Sequence, residues 1–450
     1  MRLKRSIIPV VLASLALSIS GCVLLGDKID QFRWQFMTVP IFIFDNAAGY
    51  NCPPQTSVME QPVNFAVAIS GGGDRSAVFA AAVLEQLASM PDPNHSGRSL
   101  LDSCDVISGV SGGSMAAAYY SLYKPNDFSS QEETAAFFQR FKSNMTTDIN
   151  WHGAAHYLTA PWEAVGKYYS RYRLVQTLGN TLDQHIFKNA DFNHLQEREQ
   201  HGEAPVTIIN GTSLDTGQKF LFTNLNVASN FRLDPLGFSK SVSGPDKQAL
   251  MILSQIASSS IYTSFGFDSI NSNIGCFHLA HAVAASSAYP VVPGPAVLQN
   301  HATPGYVHIG DGGINDNSGV DSIIGLYMSK LQASGRHKKL VVISINVGQP
   351  LRPKKLGDPD GYMSSIEYVD RASVALNTRA QTLATVMYNV PSSIAVIGIN
   401  LAEASNVHQL KDEAAMLAIS VNDMNTCIQA ACELVARNRS LILGALSGRS

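Results

Sequence analysis

The chain has no block of like charge. Its 32 Lys and Arg face 35 Asp and Glu, a formal net charge of −3. A nucleic-acid surface needs concentrated cationic residues, so that class of partner is excluded. No internal repeat and no long low-complexity tract appears. Apolar runs of membrane-spanning length are missing too: the stretch over residues 7–19 is too short for a span. Because it follows Arg2, Lys4 and Arg5, it reads instead as a signal peptide. Cysteine is scarce, six in all. With Cys22 set aside, Cys52, Cys104, Cys276, Cys427 and Cys432 form an odd set, so no full disulfide framework follows. An exported chain permits bridges, but Cys427 and Cys432, in one helical pattern, share neither a face nor easy disulfide geometry.

What is present is a chain of 450 residues, 45% hydrophobic, enough for one large or two medium domains with a substantial core. Strand-like runs alternate with helical segments, which predicts an α/β fold with a largely parallel sheet. The most informative string is Gly109-Val110-Ser111-Gly112-Gly113, set between the apolar run 105–108 and a small-residue helical pattern over 114–123. Gly-x-Ser-x-Gly between strand and helix describes a nucleophile elbow, a sharp turn that holds a serine hydroxyl clear of the backbone. Gly109 and Gly113 keep side chains away from that turn.

Upstream, Ser70-Gly71-Gly72-Gly73-Asp74-Arg75 follows the strand-like run 64–69 and opens a helical stretch over 76–90. Bare glycine amides at a helix N-terminus can hold an anion, either a phosphate or the oxyanion of a tetrahedral intermediate. A dinucleotide site needs a third glycine where Ser76 stands, and an acidic residue ending the next strand. Only Glu85, inside the helical stretch, is near that place. A purely structural glycine turn is the other reading. Downstream, Asp311-Gly312-Gly313 ends the strand-like run 306–309. Alone it would be a turn; beside the other two motifs, its carboxylate becomes a candidate base.

These three motifs, in this order, resemble the patatin-like phospholipases. The family pattern is a Gly-Gly-Gly-x-Arg/Lys-Gly loop, a Gly-x-Ser-x-Gly elbow about forty residues on, and a distal Asp-Gly-Gly or Asp-Gly-Ala. The segments 205–212, 284–290 and 339–344 are similar to further family blocks, so the resemblance covers roughly residues 63–350. This chain departs from the pattern at Ser76, where the family has glycine.

The resemblance implies a three-layer α/β/α fold with a mostly parallel central sheet, here with a helical insertion and a mixed C-terminal extension. It implies Ser111 as nucleophile and Asp311 as base, with Gly71, Gly72 and Gly73 forming the oxyanion hole. Arg75 would steady the loop or the substrate's head group. The activity implied is hydrolysis of lipid esters through an acyl-enzyme, without cofactor or metal. A carboxylate of ordinary pKa is a poor base in water, so Asp311 must lie within hydrogen-bond reach of Ser111 in a partly dry site. Two other outcomes stay open: a non-catalytic binding or scaffolding lipoprotein on the same fold, and acyl transfer to an acceptor other than water.

Histidines offer competing sites. His337 and His408 follow Asp311, as a Ser-Asp-His triad requires, but neither sits in a recognisable motif. His278 and His281, three apart in an apolar run with Cys276 nearby, could share a metal-binding face; a structural role is the simpler expectation. His152 and His156 have zinc-protease spacing, but Gly153 replaces the required glutamate.

The apolar stretch ends Ile19-Ser20-Gly21-Cys22, which resembles a bacterial lipobox. That implies cleavage before Cys22 and lipidation of its thiol, with about 0.8 kcal/mol of anchoring per buried methylene. An ordinary signal peptide with an incidental cysteine is the alternative. Val23 in place of aspartate points to the outer membrane of the cell envelope. Membrane lipids, or other acyl esters, are then the expected partners. The expected organisation is a leader (1–21), a tether or packing segment (22–62), a catalytic domain (63–350) and a C-terminal extension (351–450). Residues 32–44, rich in apolar side chains, lie against lipid or pack on the domain. The helical insertion, 124–200, carries Trp151, Trp162, Tyr168, Tyr169, Arg171, Tyr172 and Arg173. It reads either as a lid for lipid or as plain amphipathic helices.

Overall fold

Strand β1 (Val63–Ile69) reads VNFAVAI and is buried on both faces, the pattern of a central parallel strand. Phe65, Val67 and Ile69 enter one hydrophobic cluster, while Ala66 and Ala68 enter a second. The same division recurs in β8 (Lys339–Asn346), with Val341, Ile343 and Ile345 on one side and Leu340 and Val342 on the other. Side chains alternate across a strand, so the sheet has a core against each face, and helices must cover both.

A computed structural model describes residues 44–51, 53, 57–146, 171–260, 262–289, 294–335, 338–348, 365–410 and 419–447. The leader and Cys22, Cys52, Trp151, Trp162, Tyr168, Tyr169, His152, His156 and His337 lie outside the described residues, as do the side chains of Arg171, Tyr172 and Arg173.

The remaining strands are β2 (Cys104–Val110), β3 (Val206–Ser213), β4 (Lys219–Phe222), β5 (Ser264–Gly266), β6 (Ala296–Gln299), β7 (Tyr306–Asp311) and β9 (Ile394–Asn400). The sheet runs β5-β4-β3-β2-β1-β8-β9, with β7 paired to β3 and β6 to β7. β1, β2, β3, β8 and β9 are mutually parallel. The antiparallel pairs are β3–β4, β3–β7 and β6–β7.

Helices α1 (Gly73–Ala88), α2 (Gly112–Tyr123), α3 (Gln131–Met145), α4 (Arg171–Leu182) and α5 (Phe192–Gln200) precede β3. After it come α6 (Lys247–Ala257), α7 (Leu279–Ser286), α8 (Val320–Ser334), α9 (Ser365–Tyr388) and α10 (Val421–Leu446). One layer holds α1, α2, α7 and α10; α6 and α8 cover the other face. The fold is therefore the three-layer α/β/α arrangement, its central sheet mostly parallel.

The described part of the insertion is well packed. α3 buries Phe137, Phe138 and Phe141, and these rings meet Tyr119, Tyr120 and Phe128 at centroid distances of 4.8 to 6.5 Å. Phe44, the last of the apolar segment 32–44, is buried and lies 4.7 Å from the His281 ring. At the C-terminal side, β9 pairs with β8 and α10 packs on α1, so both share the core.

Candidate active site

Ser111 joins β2 to α2 with φ 52° and ψ −127°. A non-glycine residue there carries strain of order 1–3 kcal/mol and persists only where its surroundings impose it. The surroundings here are glycines. A Cβ on Gly113 would stand 2.5 Å from the Ser70 carbonyl oxygen, and one on Gly109 2.6 Å from that of Gly113. Gly112 is tighter still: its Cβ would come 2.0 Å from the carbonyl oxygen of Gly73. The elbow and the glycine-rich loop thus touch backbone to backbone. Sequence reasoning missed the role of Gly112, although the doubled glycine after Ser111 was its visible signal.

Asp311 reaches Ser111 through the register of β3. Val110, the residue before the serine, pairs with Asn210, and Asp311 pairs with Gly211 on the antiparallel β7. One strand therefore sets both residues at the same level. The Ser111 side chain is near enough to the Asp311 carboxylate to lower its pKa, and the carboxylate accepts the Gly313 amide at 2.7 Å. Burial dominates its electrostatics and pushes its pKa up to about 6, against the lowering effect of those two groups. Among the described residues, no histidine hydrogen-bonds to Ser111 or Asp311, and His408 lies on a short turn beyond β9.

The glycine-rich loop lies alongside. A Cβ on Gly71 would sit 3.4 Å from the Ser111 Cβ. The expectation that Gly71 belongs with the open donors needs correction, since its amide donates to the Asn317 carbonyl at 3.0 Å. Its chain is still paired as it leaves β1. Gly72 is exposed, with φ 150°, and caps α1. Among the described residues, neither the Gly72 nor the Gly73 amide has an acceptor. They stand at the positive end of α1, where an anion is favoured. Ser76, the departure from the family pattern, donates its hydroxyl to the Ser70 carbonyl at 2.5 Å and is fully buried. The loop geometry survives because the added side chain is short and finds a partner. Arg75 projects toward α10, where its charge lowers the pKa of Cys427 against the stronger effect of burial.

The segments 205–212 and 284–290, similar to family blocks in sequence, take on a definite role here. Ser286 accepts the Ser111 amide at 2.9 Å and donates to the Asn210 carbonyl at 2.6 Å. Two residues on, the Ala288 carbonyl accepts the Asp311 amide at 2.9 Å. The C-terminal end of α7 therefore holds both members of the pair. Asn210 adds bonds to Ser108 Oγ and the Gly109 carbonyl, and Ser322 donates to its side-chain oxygen. The resemblance marked the segments of Asn210 and Ser286, but not these bonds, and Ser108 and Ser322 carried no signal.

Away from this site, His278 meets Asp183 at 2.7 Å, and His281 meets Asn180 at 3.3 Å. Burial, with help from the neighbouring His278, lowers the His281 pKa to about 4. No group of three or more metal-ligating side chains occurs among the described residues. None of their helices is long and apolar enough to cross a membrane.

Among solved structures, the chain resembles human GIVD cytosolic phospholipase A2, with 10% identity and a TM-score of 0.48. That match covers 85% of this chain and 60% of the human one, so the chain spans about three fifths of that protein's length. The same enzyme in complex with methyl γ-linolenyl fluorophosphonate matches with 11% identity and a TM-score of 0.41, over 86% of this chain and 59% of that one. Comparison with curated proteins yields no match. A family model described as patatin-like phospholipase matches residues 67–324, more than half of the chain and all three motifs. The chain belongs to the patatin-like phospholipase family.

Proposed function

We propose that the protein is a serine lipid acyl hydrolase, cleaving phospholipid or other acyl esters by a Ser111–Asp311 dyad. The reading rests on one observation above all: strand register sets Ser111 beside the buried Asp311 carboxylate, whose pKa the serine side chain lowers. Two outward amides, of Gly72 and Gly73, lie on the adjoining loop. Asp311 takes the hydroxyl proton as Ser111 Oγ attacks the ester carbonyl. The oxyanion forms against Gly72 and Gly73, donors that need no reorganisation. Collapse expels the alcohol, which receives the proton from Asp311 and leaves an acyl-Ser111. Water, activated by the same carboxylate, then releases the fatty acid.

A pKa of about 6 suits this work better than an ordinary carboxylate, since the group is ionised at neutral pH and still basic enough to hold a proton. Residues 63–350 form the catalytic unit of this proposal, with 124–200 as its insertion and 351–450 as its extension. Lipid on Cys22 would tether it to the outer membrane, and mass spectrometry of the N-terminal peptide tests that tether. The activity is tested by fatty-acid release from mixed phospholipid vesicles and from a soluble ester. The full chain in detergent should release acid, and Ser111→Ala should reduce the rate by about a thousandfold or more. A folded parent inactive on both substrates, or an equally active Ser111→Ala variant, refutes the proposal.

A further inference from the structure

Between Asp311 and the start of α8, the turn that carries Asn317 is tied down on both sides. Asp316 accepts the Ser318 amide and hydroxyl at 2.9 and 2.6 Å on one oxygen, and the Asp321 amide at 3.0 Å on the other. The Asp316 amide donates to the Gly312 carbonyl at 3.0 Å, and the Asn317 carbonyl accepts the Gly71 amide at the same distance. This fixed backbone sets the Asn317 carboxamide between the glycine-rich loop and the Asp311 turn. A Cβ on Gly71 would stand 2.4 Å from the Asn317 side-chain oxygen and 3.4 Å from Ser111 Cβ. One on Gly313 would stand 2.6 Å from that same oxygen and 3.0 Å from Asp311 Oδ1. Both glycines therefore make room for the carboxamide, and about a methyl's width separates it from each member of the dyad. Its oxygen, rather than its nitrogen, faces the two glycines, the orientation that weak C–H···O attraction favours. The side chain is half-buried, and no hydrogen bond reaches it among the described residues.

A carboxamide oxygen and a carboxylate oxygen beside the same glycine are two acceptors. They suit a species with two hydrogens to donate. Once Ser111 carries the acyl group it has no hydroxyl proton, and the hydrolytic water takes that place beside Asp311. We propose that Asn317 positions this water, which donates one hydrogen to Asp311 and the other to the Asn317 oxygen and turns a lone pair to the acyl carbon. Asp311 takes the first hydrogen as a proton while the new C–O bond forms. The second stays on the attacking oxygen and leaves with the fatty acid. As the tetrahedral intermediate collapses, the bond from the acyl carbon to Ser111 Oγ breaks, and Oγ recovers the proton from Asp311. A water held in an attacking pose has already lost the freedom that a mobile one must give up in the transition state. Asn317 thus acts in the second half of the reaction and has little to do in the first. The inference rests on the hydrolase reading and adds to it a residue specific to water as acceptor.

The test separates the two halves. Full-length parent, Asn317→Leu, which keeps the volume, and Asn317→Ala are mixed in detergent with p-nitrophenyl butyrate, and nitrophenol is followed from the first turnover. In the variants the first-turnover rate should stay within about threefold of the parent, while the steady rate falls by about tenfold or more. Acyl-Ser111 should then accumulate, read as the butyryl mass on the intact protein. Methanol has a single hydroxyl hydrogen, which Asp311 receives, so butyryl transfer to added methanol should fall less than hydrolysis. Circular dichroism confirms folding, and one folded variant suffices. First-turnover and steady rates falling together, as a purely structural role would produce, overturn the proposal. So does an equal loss of hydrolysis and methanolysis, or an unchanged steady rate in a folded variant. A folded parent that neither acylates nor turns over refutes the hydrolase reading itself, and this inference with it.

Discussion

Replacing Asp311 by Asn exchanges a buried carboxylate for a neutral group of the same shape. Burial raises the Asp311 pKa from 3.8 to about 6. At about 1.36 kcal/mol per unit, the charged form then costs the fold about 3 kcal/mol at pH 8. The sign follows from the direction of the shift. Below the unfolded value of 3.8 both states are protonated and the cost is absent; it grows as pH rises and is complete above about 6. Asparagine removes it while its oxygen still accepts the Gly313 amide, and its amide hydrogen can turn toward Ser111 Oγ. The variant should therefore be more stable than the parent at pH 8. The advantage should shrink by about 2 kcal/mol near pH 4.5. Urea denaturation at the two pH values measures this. An equal difference at both, or a variant less stable at pH 8, would refute the electrostatic argument. Activity should move the other way, falling by about 10²- to 10⁴-fold, because an amide cannot take the serine proton. The parent's kcat/KM should rise with pH through about 6.

Ser286→Ala strips partners from the Ser111 amide and the Asn210 carbonyl; we expect a loss of about 2 kcal/mol and a fall in kcat with KM little changed. A variant with parental kcat would remove Ser286 from the support of the elbow. Gly112→Ala drives a methyl into the Gly73 carbonyl and should parts the loop from the elbow, lowering activity far more than an alanine at the exposed Gly97, where nothing lies within 4 Å; Gly97 has positive φ, so the two are compared in activity and not in stability. Glu199, fully buried beneath β3, accepts the Thr207 amide and the Asn224 side chain, and burial lifts its pKa to about 8. The folded state keeps this proton while the unfolded chain loses it, so parental stability should decline between about pH 4.5 and 8 and level off above. Glu199→Gln should be more stable than the parent at pH 7 by about 3 kcal/mol, close to it below pH 4.5, and should lack that decline. An identical decline in both proteins would assign it elsewhere.

The strand at Val63–Ile69 and the elbow at Ser111 were legible because each is a local matter: an apolar run between breakers, and glycines where a sharp turn admits no side chain. The same holds for the sequence-level α/β expectation, since alternation of strand and helix is written along the chain. Gly71 shows where locality ends. Three adjacent glycines look equivalent in a row of letters, and only the approach of Asn317 distinguishes the amide already used from the two that face outward.

What the sequence determined alone was therefore the alphabet of the site: a serine on a strained turn, bare amides at a helix start, and a carboxylate at a strand end. What tertiary structure decided was their meeting. Ser111 and Asp311 come together because β3 pairs with β2 up to Asn210 and with β7 from Gly211 onward, while one end of α7 holds both. Hydrogen-bond register and desolvation join residues far apart in the chain, and neither leaves a mark at any single position.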